Sequence, residues 1–489
     1  MYAADTIGAA FLKQVEATPQ AILFEVGGGT GIGTGIGRLT YSDFKARIEL
    51  TRLAFAEHGV AAGQVVGLAN TNQIDAFAAI FALWALGVSP LVLDFRSPPS
   101  DIMERATRAR AAYIFSDFRK LAQHDGILEF PRVVVATDTS DGLVFPAVPG
   151  GTADFIMSSG TTGVPALHPV SHAELLSALD RMALGGERGH WGNAVSCLNL
   201  SFPGTRYIWY RNAISGRKII TVPVFFSYAE LDAALMHENA EEVTLPPVLI
   251  RGLVQHIKDQ GLVGDGPRYD RLVKMQSIGG PLLSPALTEA KSILSDTLCV
   301  TYSSTQTGII SRLEGNEVDS HSNSVGMPLP HHHIRIVDDQ GQSLPTNEVG
   351  HIETQVNENT ARPGDRGYLD DDGYLYVVGR VQEYLCRNGV SFNAPDLENQ
   401  IQMVTGAALC CVISSPGAAG DEDQIIAVIE AAPSQLSDFK TRLRAHLSPL
   451  TRPDKIVLMQ ALPKTSGLKV ARAHLHQLIV NAPEICHVL

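Results

Sequence analysis

Residues 157–169, MSSGTTGVPALHP, concentrate the side chains that hold phosphate. The hydroxyls of Ser158, Ser159, Thr161 and Thr162 stand beside Gly160 and Gly163. Glycine lets a backbone approach closely, so each N–H can donate to a phosphate oxygen. The Gly-Lys-Ser/Thr ending of a Walker loop is missing, because Pro165-Ala166-Leu167 follows. The chemistry indicated is phosphate cradling without a lysine in the loop, and a flexible Gly/Ser linker is the plainer alternative.

Three other stretches invite chemistry and lose it on inspection. EVGGGTGIGTGIGRLTYSDF, at 25–44, contains GxGxxG-like spacing. A dinucleotide fingerprint needs a helix opening directly from the loop, whereas RLTY reads as a second short strand, so a glycine-rich hairpin tip is expected. The histidines 331–333 fall in HHHIRIV. Consecutive strand residues point to opposite faces, so the three cannot converge on one metal ion. The six cysteines include no CxxC pair, and Cys410-Cys411 reads as part of a strand rather than a disulfide frame.

The elements that must position such a loop follow an α/β pattern. Residues 41–59 carry apolar side chains at helical spacing and QVVGLAN follows as a short buried strand. IDAFAAIFALWALGV is an apolar helix and SPLVLDF another strand, which implies a layered sheet with parallel pairing. HIRIVDDQGQSL, GHIETQV and GYLYVVGR then alternate between Gly, Asp and Asn turns as a β-rich region. DLENQIQMV, AALCCVISS, DQIIAVIEA and LSDFKTRLRAHL make a smaller α+β unit. The turn-rich stretch at 378–389 marks the boundary, giving a large domain at 1–380 and a small one at 381–489.

With 489 residues, 45% hydrophobic and 18% charged, the chain reads as a folded protein of at least two domains. A net charge of −13 argues against a nucleic-acid surface. No apolar run reaches the ~20 residues that span a bilayer. The N-terminus lacks a basic region before an apolar core, so a cytoplasmic location is expected.

The loop at 158–163 is followed, in order, by SIGGPLLSPAL (277–287), TYSSTQTG (301–308), RPGDRGYLDDDGYLYVVGR (362–380) and LPKTSGLKVAR (462–472). This series resembles the adenylate-forming superfamily of acyl-CoA synthetases, luciferase-like enzymes and adenylation domains. The resemblance spans nearly the whole chain. It implies a large N-terminal α/β domain and a small mobile C-terminal domain. The implied reaction joins ATP and a carboxylic acid into an acyl-adenylate, then passes the acyl group to the thiol of CoA or a carrier protein.

The resemblance also implies roles. Ser158 to Gly163 would hold the β- and γ-phosphates. Gly279 and Gly280 would line the adenine and acyl pocket. Tyr302 would stack on adenine with Ser303 beside it, and Thr305 would reach the α-phosphate. Asp365 would accept the ribose hydroxyls, and Arg380 would donate to them. Lys469 would meet the negative charge that builds at the α-phosphate. The acyl pocket falls on CLNLSFPGTRYIWY, with Asn199, Phe202, Arg206, Tyr207 and Trp209 lining or neighbouring it. Arg206 would bind a second acidic group of the substrate or form a salt bridge on the domain surface. Neither the aspartate that holds an α-amino group nor the histidine of many acyl-CoA synthetases stands at Ser201-Phe202-Pro203, so an α-amino acid is not expected.

Several positions depart from the family pattern. Ala166 replaces the loop lysine, and Gln306 replaces the glutamate that binds Mg²⁺. Leu468 precedes Lys469 where glycine is usual, Gln382 replaces the hinge Asp or Lys, and Cys386 replaces a lysine. Losing a lysine and a glutamate together leaves the local charge unchanged. Gln306 still offers Mg²⁺ a neutral oxygen, and His168 stands near the missing lysine. One lost electrostatic contact costs about 2.7–4 kcal/mol, which slows an enzyme without abolishing it. Transfer to an amine, or a non-catalytic nucleotide- or acyl-binding protein, remains open on these changes.

Overall fold

The computed structural model describes residues 4–27, 37–131, 142–148, 150–157, 167–184, 192–304, 307–356, 359–380, 384–387, 390–415, 424–449, 451–464 and 469–489. The chain divides into two compact units. One gathers the described residues up to Thr244 with Tyr269–Gln276, and the other comprises Leu245–Arg268 and Ser277–Leu489. The boundary expected at 380 lies inside the second unit.

In the first unit, five strands run in the order Glu242–Leu245, Ala194–Ser196, Ile219–Thr221, Ile22–Val26 and Arg38–Thr40. The first four pair in parallel, and Arg38–Thr40 turns back antiparallel on Ile22–Val26. The glycine-rich stretch is therefore flanked by two strands of one hairpin, as the RLTY reading expects; its tip, 28–36, lies outside the described residues. A second, all-parallel sheet contains Ser89–Val92, Val65–Leu68, Ala111–Ser116 and Leu128–Glu129.

Local signals explain the helices. Thr40 caps Tyr41–Glu57, accepting from the Asp43 amide at 3.1 Å while the Asp43 carboxylate accepts from the Thr40 amide at 2.9 Å. Asn72 caps Gln73–Ala85, whose residues from Ala76 to Trp84 are all buried. A helix apolar on every side belongs in a core. Here Phe77 and Phe81 pack with Phe11, Phe24, Phe44 and Trp209.

The second unit carries the β-rich region, with His332–Val337, Gly350–Val356, Asp365–Leu369 and Leu375–Arg380 antiparallel in that order. His332 is buried and bonded to Thr354 (3.0 Å), while its neighbour His333 is exposed. This is the alternation that keeps the three histidines apart. A small sheet of Cys410–Ser415, Gln424–Glu430, Lys455–Met459 and His487–Val488 packs with helices Ala394–Thr405 and Leu436–His446. The α/β class and the succession from layered α/β through β-rich to small α+β match the sequence reading.

Within the stretch at 378–389, read from the sequence as turn-rich, residues 384–387 are strand. Tyr384–Arg387 is a strand paired antiparallel with Val390–Asn393. Leu385 packs among Leu397, Ile401, Ile429 and Ile456. Arg387 pairs with Asp454 and donates to the Arg452 carbonyl at 2.6 Å.

Candidate active site

Strand Thr152–Met157 pairs antiparallel with Leu167–Ser171, and Met157 faces Leu167. The strands on either side of the candidate phosphate loop are thus paired, and Ser158, Ser159, Gly160, Thr161, Thr162, Gly163 and Ala166 lie outside the described residues. His168 is exposed on the returning strand.

In the second unit, Tyr302 sits near the end of strand Leu298–Ser304 and Asp365 opens strand Asp365–Leu369. The two are 63 positions apart, and the Tyr302 hydroxyl donates to Asp365 Oδ2 at 2.5 Å. Asp365 is 7% exposed, so its carboxylate is presented by a largely closed site. Gly364 before it has φ +87°, a turn that glycine makes without strain. Backbone pairing sets Asp365 opposite Arg380. Ser303 is half-buried on the same strand as Tyr302. Thr305 and Gln306 lie outside the described residues, and Ser304 and Thr307 on either side of them are bonded to each other. Their hydroxyls are 2.8 Å apart, and the Thr307 amide donates to Ser304 Oγ.

Gly279 follows strand Lys274–Ile278 with φ +93°. A Cβ at Gly279 would meet Lys469 Cε at 3.3 Å, so the lysine stem lies across this glycine. A Cβ at Gly280 would have Pro247 as its nearest neighbour, 3.7 Å away. Lys469 is itself exposed. The second unit therefore brings together Tyr302 with Asp365, and Gly279 with Lys469.

The acyl-pocket candidates all belong to the first unit. Phe202, Cys197, Leu198, Thr205, Ile208 and Thr244 line a small, narrow cleft. Burial pushes the Cys197 thiol up to about 12, which keeps it protonated and inert. Asn199 is buried beside the cleft residues Leu198 and Phe202 in sequence; its Oδ1 accepts from the Ser201 amide and its Nδ2 has no partner. Trp209 is core, packed on Phe24 and Phe77, and donates to Ser196 Oγ at 2.8 Å.

Arg206 is neither on the surface nor open to a substrate. It is 1% exposed and donates to Asp154 Oδ2 (2.7 Å), the Leu200 carbonyl (2.5 Å) and the Phe155 carbonyl (3.1 Å). Burial alone would lower its pKa, but the Asp154 carboxylate raises it and the guanidinium stays charged. Tyr207 is pushed upward, first by burial and then by the Asp154 charge. The sequence reading missed Asp154. The available signal was a lone carboxylate in the apolar strand ADFIM, because a buried charge requires a partner.

The profile of the AMP-binding enzyme family matches residues 11–356. The chain is 23% identical over 436 residues to 2-succinylbenzoate–CoA ligase of Enterococcus faecalis, with 83% of this chain and 87% of that one covered. It is 24% identical over 494 residues to 2,3-dihydroxybenzoate-AMP ligase of Bacillus subtilis, with 90% and 89% covered. Among solved structures, o-succinylbenzoate CoA synthetase of Bacillus subtilis in complex with its acyl-adenylate intermediate superposes with a TM-score of 0.77. That likeness is at 17% identity and covers 95% of this chain and 97% of the other.

Proposed function

The chain belongs to the AMP-binding enzyme family, and from that premise we propose that it is an AMP-forming acid–thiol ligase whose site is built from the residues described above. It activates a small carboxylic acid with ATP and passes the acyl group to CoA or a carrier-protein thiol. The observation that carries this reading is the pairing of Tyr302 with the buried Asp365, together with Lys469 across Gly279.

The chemistry follows from these residue types. Asp365 accepts the ribose hydroxyls with its charged carboxylate, and the bond from Tyr302 fixes both its orientation and the tyrosine ring that stacks on adenine. The substrate carboxylate attacks the α-phosphate in line, and pyrophosphate leaves. Negative charge builds on the α-phosphate oxygens, where Lys469 and Thr305 would meet it. Ser158 to Gly163 hold the departing phosphates with hydroxyl and amide donors. Gln306 would offer a side-chain oxygen to a Mg²⁺ ion accompanying ATP, which would neutralise phosphate charge. Residues 381–489 then turn about 380–383, and a thiolate displaces AMP to give the thioester.

The acid is a neutral-tailed one. The guanidinium of Arg206 is spent on Asp154, so a second carboxylate on the substrate finds no free charge there. Monocarboxylic aryl acids, such as the 2,3-dihydroxybenzoate named for the Bacillus subtilis relative, and short acyl acids fit this condition. The reaction suits the cytoplasm, where ATP and CoA are found; no helix among the described residues is long and apolar enough to cross a membrane.

The test is pyrophosphate release from ATP over a panel of benzoate, salicylate, 2,3-dihydroxybenzoate, malonate and octanoate, with hydroxylamine present to trap acyl-adenylate. An acid-dependent hydroxamate that is lost in Lys469→Ala supports the ligase. ATP binding without turnover of any acid would leave a nucleotide-binding protein instead.

A further inference from the structure

Lys469 is an exposed lysine on a short connection, a placement that ordinarily leaves a side chain free to wander. Its backbone is held on both sides. Lys464 and Val470 form an antiparallel bridge, and the Ala471 amide donates to the Pro463 carbonyl at 2.8 Å, which closes the loop between them.

Two carboxylates fasten the base of that loop. On the incoming side, Glu430 ends strand Gln424–Glu430, accepts from the Leu462 amide at 2.9 Å and pairs with Lys464 at 3.3 Å. Leu462 is buried among Leu475 and Ile479, so this anchor rests on core. On the outgoing side, Arg472 pairs with Glu398 at 2.7 Å and donates to the Val412 carbonyl at 2.7 Å. The Val412 amide in turn donates to Glu398 at 2.6 Å. That closed triangle ties the start of helix Arg472–Asn481 to helix Ala394–Thr405 and strand Cys410–Ser415.

We propose that Glu430 and the Glu398–Arg472 pair are positioning residues that hold the Lys469 loop so that its side chain reaches across Gly279 to the ATP phosphate. This rests on the reading of Lys469 as the residue that meets ATP. A loop of this length fixed at only one end can swing its lysine by an ångström or more, and misplacement of that size costs about 10²-fold in rate. A purely structural role for the same pairs would lower stability and leave the reach of Lys469 unchanged.

Trace acetylation of the full chain with acetic anhydride, read at Lys469 by peptide mass spectrometry with and without ATP, separates these cases without knowledge of the acid. Lys13, exposed in the first unit, serves as the internal reference. ATP should slow acetylation of Lys469 in the wild type. In Glu398→Gln and, independently, Glu430→Gln, ATP should no longer do so, with the ATP Kd unchanged and the melting temperature recorded alongside. Protection that persists in folded variants overturns the clamps while leaving the role of Lys469 intact. Absence of protection in the wild type overturns that role, and the clamps with it. Two variants at opposite ends of the loop keep the test decisive if one of them fails to fold.

Discussion

Asp365→Asn isolates what the buried carboxylate contributes to nucleotide binding. The amide keeps the shape of the side chain and can still bond Tyr302, so the local fold should survive. What changes is the acceptor offered to the ribose. A hydrogen bond to a charged group is worth about 1.5–3 kcal/mol and a neutral one about 0.5–1.5 kcal/mol, so each ribose hydroxyl loses about 1–1.5 kcal/mol. Two hydroxyls lose about 2–3 kcal/mol, which is about a 30- to 150-fold weaker Kd for ATP. Asp365 is 7% exposed, so water does little to soften the loss. Isothermal titration with ATP reads the change, and 2′,3′-dideoxy-ATP supplies the control because it lacks both hydroxyls. The variant should bind the dideoxy nucleotide about as well as the wild type does. Equal weakening of both nucleotides, or no weakening of ATP, would refute the assignment of Asp365 to the ribose.

Gly279→Ala should slow acyl-adenylate formation far more than it weakens ATP binding, since the new Cβ meets Lys469 Cε at 3.3 Å and φ +93° strains any side chain; kcat and KM for hydroxamate formation check this. Asp154→Asn leaves the Arg206 charge buried without its partner and should cost about 3–5 kcal/mol, whereas Asp154→Leu with Arg206→Met should recover most of it in thermal melts. His172, buried against Trp84 with Nδ1 unpaired, has its pKa lowered by burial from 6.5 to about 4. Its neutral form is the folded one. Stability is therefore complete above about pH 6.5 and falls by about 3 kcal/mol as pH drops towards 4, a slope that His172→Leu should flatten in denaturation titrations.

Elements with a strong period were legible in the sequence because burial imposes that period directly. Gln73–Ala85 is apolar on every face and lies in the core, while the His332/His333 alternation follows from a strand with one buried side. Strands Tyr384–Arg387 and Val390–Asn393 are short and mix polar with apolar residues, so the sequence there reads as turns. Long-range partnerships are a different matter. Nothing within fifty residues of Asp154 announces Arg206, and the pairing of Tyr302 with Asp365 could be anticipated only through motif resemblance. Arg206 illustrates the limit: its position within a motif suggested a pocket, whereas its surroundings made it part of the frame that holds the pocket wall.

The seating of Leu385 and Arg387 bears on how such chains recombine. Both strands of the pair Tyr384–Arg387 and Val390–Asn393 lie ahead of helix Ala394–Thr405 in sequence, yet Leu385 is buried with Leu397 and Ile456, and Arg387 grips Asp454. A crossover between homologous genes inside this strand pair would graft Leu385 and Arg387 of one parent onto a foreign hydrophobic core and a foreign acid. A crossover upstream of Tyr384 carries every one of those partners together. Natural or laboratory shuffling of C-terminal modules among these ligases should therefore tolerate junctions just after Arg380 and select against junctions between Tyr384 and Asn393.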